Sequence, residues 1–266
     1  MLKFKKSLGQ NILVDKNILN KIISPNRIKN QDVLEIGPGT GNLTSFIAEK
    51  KPKSIYLIEK DTRFCKILSK KFNIRNKFFI NNEDILNLDL NKFLKKEVLV
   101  FGNLPYNIST QILSKFISLE IWPPFYKRLI FMFQKEVADR ILAKPNTREY
   151  GRISILANFI LNIIQNFTVS RRSFFPVPKV DSKIIIFEPK KQINYKIFNI
   201  KNLENVTNIF FNSKRKMINK AFSKLFDNNL QISKKLDLNL NSRPSELTFD
   251  DYYRLTEFFE KSLNKF

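Results

Sequence analysis

The chain has 266 residues, with 47 Lys and Arg against 24 Asp and Glu, a net charge of +23. It contains no histidine and a single cysteine, Cys65, which excludes histidine triads and general bases, histidine-ligated metals, multi-cysteine zinc sites and an intramolecular disulfide framework. So large a cationic excess points to a polyanionic partner, most simply nucleic acid, while the heavy use of Lys, Asn, Ile and Phe offers a second, non-functional source for the charge. The length allows one large domain, or one with a small appendage.

The opening segment, Met1 to Lys6, is basic and lacks the apolar core of a signal peptide. Asp15 is placed to cap a short amphipathic helix through Ile22 and Ile23, which Pro25 ends. Asp32 to Ile36 reads as a strand and runs into Gly37-Pro38-Gly39-Thr40-Gly41-Asn42, followed by a helix from Leu43. Ser54 to Ile58 is a second strand, ending at Glu59, and a helix continues to about Phe72. Lys77 to Ile80 is a third strand, ending at Asn82-Glu83-Asp84. Val98 to Phe101 is a fourth; Gly102-Asn103-Leu104-Pro105-Tyr106 follows, and Ser109 is placed as the N-cap of the next helix. Arg128 to Phe133 is a fifth strand, with a helix from Lys135 to Leu142 behind it.

The longest apolar stretch, Ile153 to Phe167, is about 15 residues long, too short for a membrane span, and is read as a buried helix. Phe167 to Val169 and Lys183 to Phe187 read as two further strands. Beyond Pro189 the apolar residues fall at helical spacing, as in Met217, Ala221, Phe222 and Leu225. Alternating strands and helices predict an α/β, doubly wound, mostly parallel sheet over residues 1–190, and a small C-terminal helical domain over 191–266. A cytoplasmic protein without a membrane partner is expected.

Four features carry chemistry. The loop Glu35-x-Gly37-x-Gly39-x-Gly41 follows a strand and opens a helix, but Asn42 stands where a dinucleotide fingerprint wants its last glycine, and no P-loop pattern is present. Glu59, at the tip of the next strand, suits the two hydroxyls of a ribose. Asp84 ends the third strand on the same sheet edge, either as an acceptor for an exocyclic amine or as a helix cap, with Glu83 as a rival. Asn103-Leu104-Pro105-Tyr106 combines an amide, a proline-turn carbonyl and an aromatic ring, a set that suits a planar amine such as adenine N6. The alternative is a proline turn with a capping Asn.

Together these residues resemble the class I S-adenosylmethionine methyltransferases. Leu8 to Leu13, Glu35 to Gly41, Asn103 to Tyr106 and Phe174-Phe175-Pro176-Val177-Pro178-Lys179-Val180-Asp181-Ser182 are similar to the small-subunit ribosomal RNA adenine dimethyltransferases, and the likeness extends to Lys214-Arg215-Lys216, expected on a helix, and Arg243 to Glu246. In that family the first segment usually reads Gly-Gln-Asn-Phe-Leu; Ile12 replaces the Phe here.

The resemblance implies a Rossmann-like sheet of seven strands, no metal, and S-adenosyl-L-methionine held by Asn11, Leu13, Gly37, Glu59, Asp84 and Asn103. It implies that Asn103 and Pro105 hold the target N6 while Tyr106 and Phe174 or Phe175 sandwich the base, Phe174 opening the F-x-P-x-P pattern. The implied reaction is dimethylation of two adjacent adenosines near the 3′ end of small-subunit ribosomal RNA, on a pre-assembled particle, by a monomer. Arg140, Arg152, Lys214, Arg215 and Lys216 are expected to face that RNA. The competing readings are a resistance-type methyltransferase of large-subunit RNA, an RNA-binding assembly factor with dispensable catalysis, and a DNA adenine methyltransferase.

Overall fold

The computed structural model describes residues 11–72, 77–92 and 97–263. The expected Leu8-Gly9-Gln10 segment lies outside them. Nine strands and ten α-helices are seen among the described residues, and the chain divides into two compact units, 1–138 with 162–189, and 139–161 with 190–266.

The first unit is built on a seven-stranded sheet. A short strand β1 (Ile12–Leu13) and helix α1 (Lys16–Ile23) precede it; then come β2 (Asp32–Ile36), α2 (Asn42–Glu49), β3 (Ser54–Ile58), α3 (Thr62–Lys71), β4 (Phe78–Asn81), β5 (Val98–Asn103), α4 (Ser109–Ile117) and β6 (Tyr126–Gln134). Helix α5 (Lys135–Leu142) leads out of the unit, and β7 (Leu161–Val169), β8 (Phe174–Phe175) and β9 (Ser182–Pro189) complete it. The sheet order is β4-β3-β2-β5-β6-β9-β7; β4 to β6 run parallel and β9 is antiparallel to β6. In β2, β3 and β5 the apolar residues run almost without interruption because helices cover both faces of a parallel sheet.

Register decides where the loops emerge. Ile36 pairs with Ile58 and with Gly102, and Ile58 pairs with Asn81. The next residue of each strand, Gly37, Glu59, Asn82 and Asn103, therefore leaves the sheet along one row at its carboxyl edge. Beside this edge β1 pairs with β8 in a two-stranded ribbon, Ile12 opposite Phe175 and Leu13 opposite Phe174. Asp15 anchors the ribbon: its Oδ1 accepts from the amides of Asn17 and Ile18 to cap α1, and its Oδ2 accepts from Ser173 Oγ at 3.0 Å.

Two local expectations are corrected. The stretch Ile153 to Phe167 is not one helix: the helix α6 (Arg152–Ile160) stops and β7 begins at Leu161. Between the buried Leu161 and Val169 the residues are half-exposed and exposed, with β-branched Ile163 and Ile164 in them, which suits an outer strand of the sheet better than a buried helix. Ser109 is the first residue of α4 rather than its N-cap; Ile108 holds that position, and Ser109 Oγ donates to Tyr106 O at 3.2 Å.

The second unit packs α6 with α7 (Ile200–Phe211), α8 (Asn219–Phe222), α9 (Asn229–Leu236) and α10 (Phe249–Leu263). Glu260 of α10 is buried and accepts from the amides of Phe198 and Asn199 and from Asn202 Nδ2, closing the open N-terminus of α7. Tyr253 Oη donates to Ile155 O at 2.9 Å, tying α10 to α6. The expected helix through Lys214-Arg215-Lys216 is absent; these residues form a turn after α7, and Met217 is exposed. The second unit begins its C-terminal part at Lys190, but it also takes the internal segment 139–161, so a single cut near 190 does not separate the two.

Candidate active site

The row of loops at the carboxyl edge encloses a cavity of about 250 Å³. Gly37, Gly39 and Gly41 all adopt left-handed backbone, which turns the chain sharply enough to start α2 straight from β2. At Gly41 a side chain is doubly forbidden: φ is +74°, and a Cβ would stand 2.7 Å from Phe72 and 2.9 Å from Leu68. Asn42, the departure from a dinucleotide fingerprint, has its own task. Its Nδ2 donates to Leu13 O at 3.0 Å and fastens the β1 ribbon over the glycine loop.

Four carboxylates line the cavity of this strongly basic chain: Glu35, Glu59, Glu83 and Asp84. Glu59 accepts Gly39 N–H at 3.1 Å and Asp61 N–H at 2.8 Å, so backbone amides hold it at the tip of β3; burial pushes its carboxyl above the ordinary range, against the pull of those amides. Glu35 is buried and accepts from Thr44 Oγ1 at 2.7 Å. Burial pushes it up to about 7, with Glu59 adding to the rise and the Thr44 hydroxyl and Lys71 opposing it. Asp84 is engaged through both of its oxygens. Its Oδ1 accepts from Leu86 N–H to cap a turn, and its Oδ2 accepts from Lys60 Nζ at 2.7 Å, which holds the carboxyl below the usual range.

Asn103 closes the other side. Its Nδ2 donates to Asn11 O at 2.7 Å. Only the amide nitrogen can serve a carbonyl, so this bond settles which way the amide points, and Oδ1 carries no hydrogen bond among the described residues. Next to it, Pro105 O already accepts from Ile108 N–H at 3.1 Å, whereas Leu104 O carries no hydrogen bond among the described residues. The Leu104 carbonyl is thus an unbonded acceptor beside Asn103, while that of Pro105 has one lone pair left. Tyr106 Oη and Ser182 Oγ are 2.7 Å apart, which tethers the ring to β9.

Asn11, Leu13, Gly37, Glu59, Asp84, Asn103 and Pro105 all line the cavity. Phe174 does not. It is 2% exposed and packs in the core with Leu13, Leu19 and Met132, because the β1–β8 pairing turns it inward; Phe175, on the opposite face, is 59% exposed. Phe174 therefore offers no open face to a base in this conformation. Residues without an assigned role in the sequence reading also belong to the site or its surround: Glu35, Lys60 and Asn42 line it, Thr44 touches Glu35, and Lys71 is bonded to Thr40 and Gly41 of the glycine loop. Glu35 stands in the quoted motif, but nothing in its spacing announces that its carboxylate is buried.

A ribosomal RNA adenine dimethylase model matches residues 1–261. The chain belongs to the ribosomal RNA adenine dimethylase family. A relative from Pelagibacter ubique, a ribosomal RNA small subunit methyltransferase A, is 46% identical over 260 residues, covering 97% of this chain and 98% of the relative. A protein of the same name from Prochlorococcus marinus is 36% identical over 259 residues, covering 95% and 94%. Among solved structures, a dimethyladenosine transferase from Plasmodium falciparum superposes with a TM-score of 0.76 at 28% identity, over 95% of this chain and 98% of that one. The 23S rRNA methyltransferase ErmE, at 21% identity and a TM-score of 0.68 over 94% and 99%, shares the fold. The family's sheet is the mostly parallel seven-stranded one described above.

The donor set suits the methyl donor of this family. S-adenosylmethionine carries a sulfonium and an ammonium, and a cavity walled by carboxylates in a chain of net charge +23 attracts a cation where the rest of the surface repels one.

Proposed function

We propose that this chain transfers methyl groups from S-adenosylmethionine to N6 of two adjacent adenosines near the 3′ end of small-subunit ribosomal RNA, acting in the cytoplasm as a monomer on a pre-assembled particle. The observation that carries this reading is the unbonded Asn103 Oδ1 of a residue that lines a cavity of carboxylates, with the unbonded Leu104 O next to it in the chain.

Glu59 takes the ribose hydroxyls, Asp84 the adenine amine of the cofactor, and Asn11, Leu13 and Gly37 line its bed. The bound cofactor supplies an electrophilic methyl group, so no metal or general base is needed. What the chain supplies is a competent nucleophile. An adenine amine is conjugated into its ring and nucleophilically weak. Accepting both its N–H bonds at Asn103 Oδ1 and Leu104 O draws the nitrogen toward sp³ geometry, frees the lone pair and stabilises the positive charge that grows on N6. The proton left on N6 after transfer goes to water. Before the second transfer N6 has one N–H left, so one of the two acceptors must face a methyl instead.

Tyr106 covers one face of the base, its ring held by Ser182. The other face falls to β8, where Phe175 is the exposed ring. An assembly factor with dispensable catalysis has no use for an unbonded Asn103 Oδ1 on the cavity wall, which favours the active enzyme. Mass mapping of N6-dimethyladenosine in ribosomal RNA from cells with and without this protein tests the reading; small-subunit RNA dimethylated equally in both would reject it.

A further inference from the structure

Lys71 does not line the cavity, yet its ammonium donates to Thr40 O at 3.2 Å and Gly41 O at 3.1 Å on the glycine loop. Gly41 O is also the acceptor for Ser45 N–H and Ser45 Oγ in the first turn of α2. The end of α3 carries two lysines, Lys70 and Lys71, and only Lys71 is bonded to the loop. Charge-assisted bonds of this kind are the stronger ones, and here they restrain three left-handed glycines that have no side chains of their own to restrain them.

The same ammonium acts on Glu35, inside the cavity wall. Glu35 is faced by Thr44 from α2, Glu59 from β3 and Lys71 from α3. Burial and Glu59 favour its neutral form; the Thr44 hydroxyl and Lys71 favour the carboxylate.

We propose that Lys71 is a positioning residue for the cofactor, clamping the glycine loop through Thr40 and Gly41. This rests on the cofactor reading above. Without the clamp, the loop that forms the cavity wall gains freedom that binding must remove. Without the charge, ionisation of Glu35 moves toward higher pH.

The test is calorimetric titration of the full chain with S-adenosylmethionine from about pH 6 to about pH 9, comparing wild type with Lys71→Met, Lys71→Gln, Lys71→Arg and Lys70→Met. Lys71→Met should weaken binding on the order of tenfold at neutral pH, and the pH at which affinity is half recovered should move upward. Lys71→Gln keeps a donor for the two carbonyls but not the charge, so it should show the displaced pH midpoint with a smaller loss at high pH. Lys71→Arg should restore both affinity and midpoint. Lys70→Met removes an equal charge from the same turn and should change neither. Wild-type affinity and midpoint in Lys71→Met, or an equal loss in Lys70→Met, would overturn the proposal. Wild-type protein that takes up no cofactor at any pH would instead overturn the cofactor reading and the proposal with it.

Discussion

The side-chain nitrogen of Asn103 donates to the main-chain oxygen of Asn11, 2.7 Å away and 92 positions earlier in the chain. One bond thereby joins the tip of β5 to the β1 ribbon and fixes which end of the amide is left over. Asn103→Ala removes both functions. The sheet does not depend on this side chain, so the fold should persist, while methylation of small-subunit particles should fall about 10²-fold or more, the usual scale for one preorganised group at a reacting centre. Near wild-type methylation by a folded Asn103→Ala protein would reject the mechanism.

The buried carboxyl of Glu35 predicts how stability varies with pH. Its folded value is about 7 against 4.5 for a free carboxyl, so between those values the folded state holds a proton that the unfolded chain has released. Stability from this group is complete below about pH 4.5 and is lost as pH rises through about 7, a change of about 3 kcal/mol for a fully buried group. Glu59 shifts in the same direction. Asp84 is shifted the other way, and its contribution is lost only in acid. Denaturant titrations at a series of pH values should show stability of the cofactor-free protein declining toward neutrality, and Glu35→Gln should flatten that decline.

The two phenylalanines of β8 should separate cleanly. Phe174→Ala opens a cavity in the core and should cost about 3–5 kcal/mol, read as a lower midpoint of unfolding. Phe175→Ala changes an exposed ring and should leave stability nearly untouched while weakening RNA capture, since stacking contributes roughly 1–3 kcal/mol per base. A stable Phe175→Ala protein with unaltered RNA affinity would remove that ring from the base-binding face.

Lys214, Arg215 and Lys216 are not equivalent. Lys214 Nζ donates at 2.6 Å to both Arg148 O and Tyr150 O, which commits it to holding the loop before α6. Arg215 and Lys216 are exposed. The double reversal Arg215→Glu, Lys216→Glu should reduce the salt dependence of particle binding by roughly 0.7–0.9 log unit per lost phosphate contact without altering cofactor affinity. Lys214→Met should instead lower thermal stability. Equal salt slopes for wild type and the double variant would exclude this turn from the RNA contact.

Where the residues themselves bear the signal, the sequence reading and the structure coincide. Asp32–Ile36 and Ser54–Ile58 have the expected bounds because short, mainly apolar runs closed by a glycine loop or a charged tip leave little else to form. The cavity gathers Gly37, Glu59, Asp84 and Asn103 because parallel strands put their following loops on one edge. Other features depend on partners distant in sequence. Whether Phe174 or Phe175 faces outward is set by the parity of pairing with β1, which no local pattern reveals. The helix-to-strand change at Leu161 occurs inside a single apolar run, where composition alone does not distinguish the two. That Pro105 O is taken and Leu104 O is not follows from the turn to Ile108.

The chain leaves its first unit after Ala138 and re-enters it at Asn162 before leaving again at Pro189. The second unit is consequently an internal insertion plus a tail, and the two portions depend on each other: Tyr253 on α10 bonds to Ile155 on α6, and Phe159 packs 5.0 Å from the Tyr253 ring. A premature stop codon near position 190 would not yield a trimmed, self-sufficient catalytic fragment. It would leave α6 stranded in mid-chain with Ile155, Leu156 and Phe159, all buried in the intact protein, stripped of their cover, a surface prone to aggregation. Excising the second unit by engineering requires two deletions and a new linker from Ala138 to Asn162, and the gene cannot shed it one end at a time.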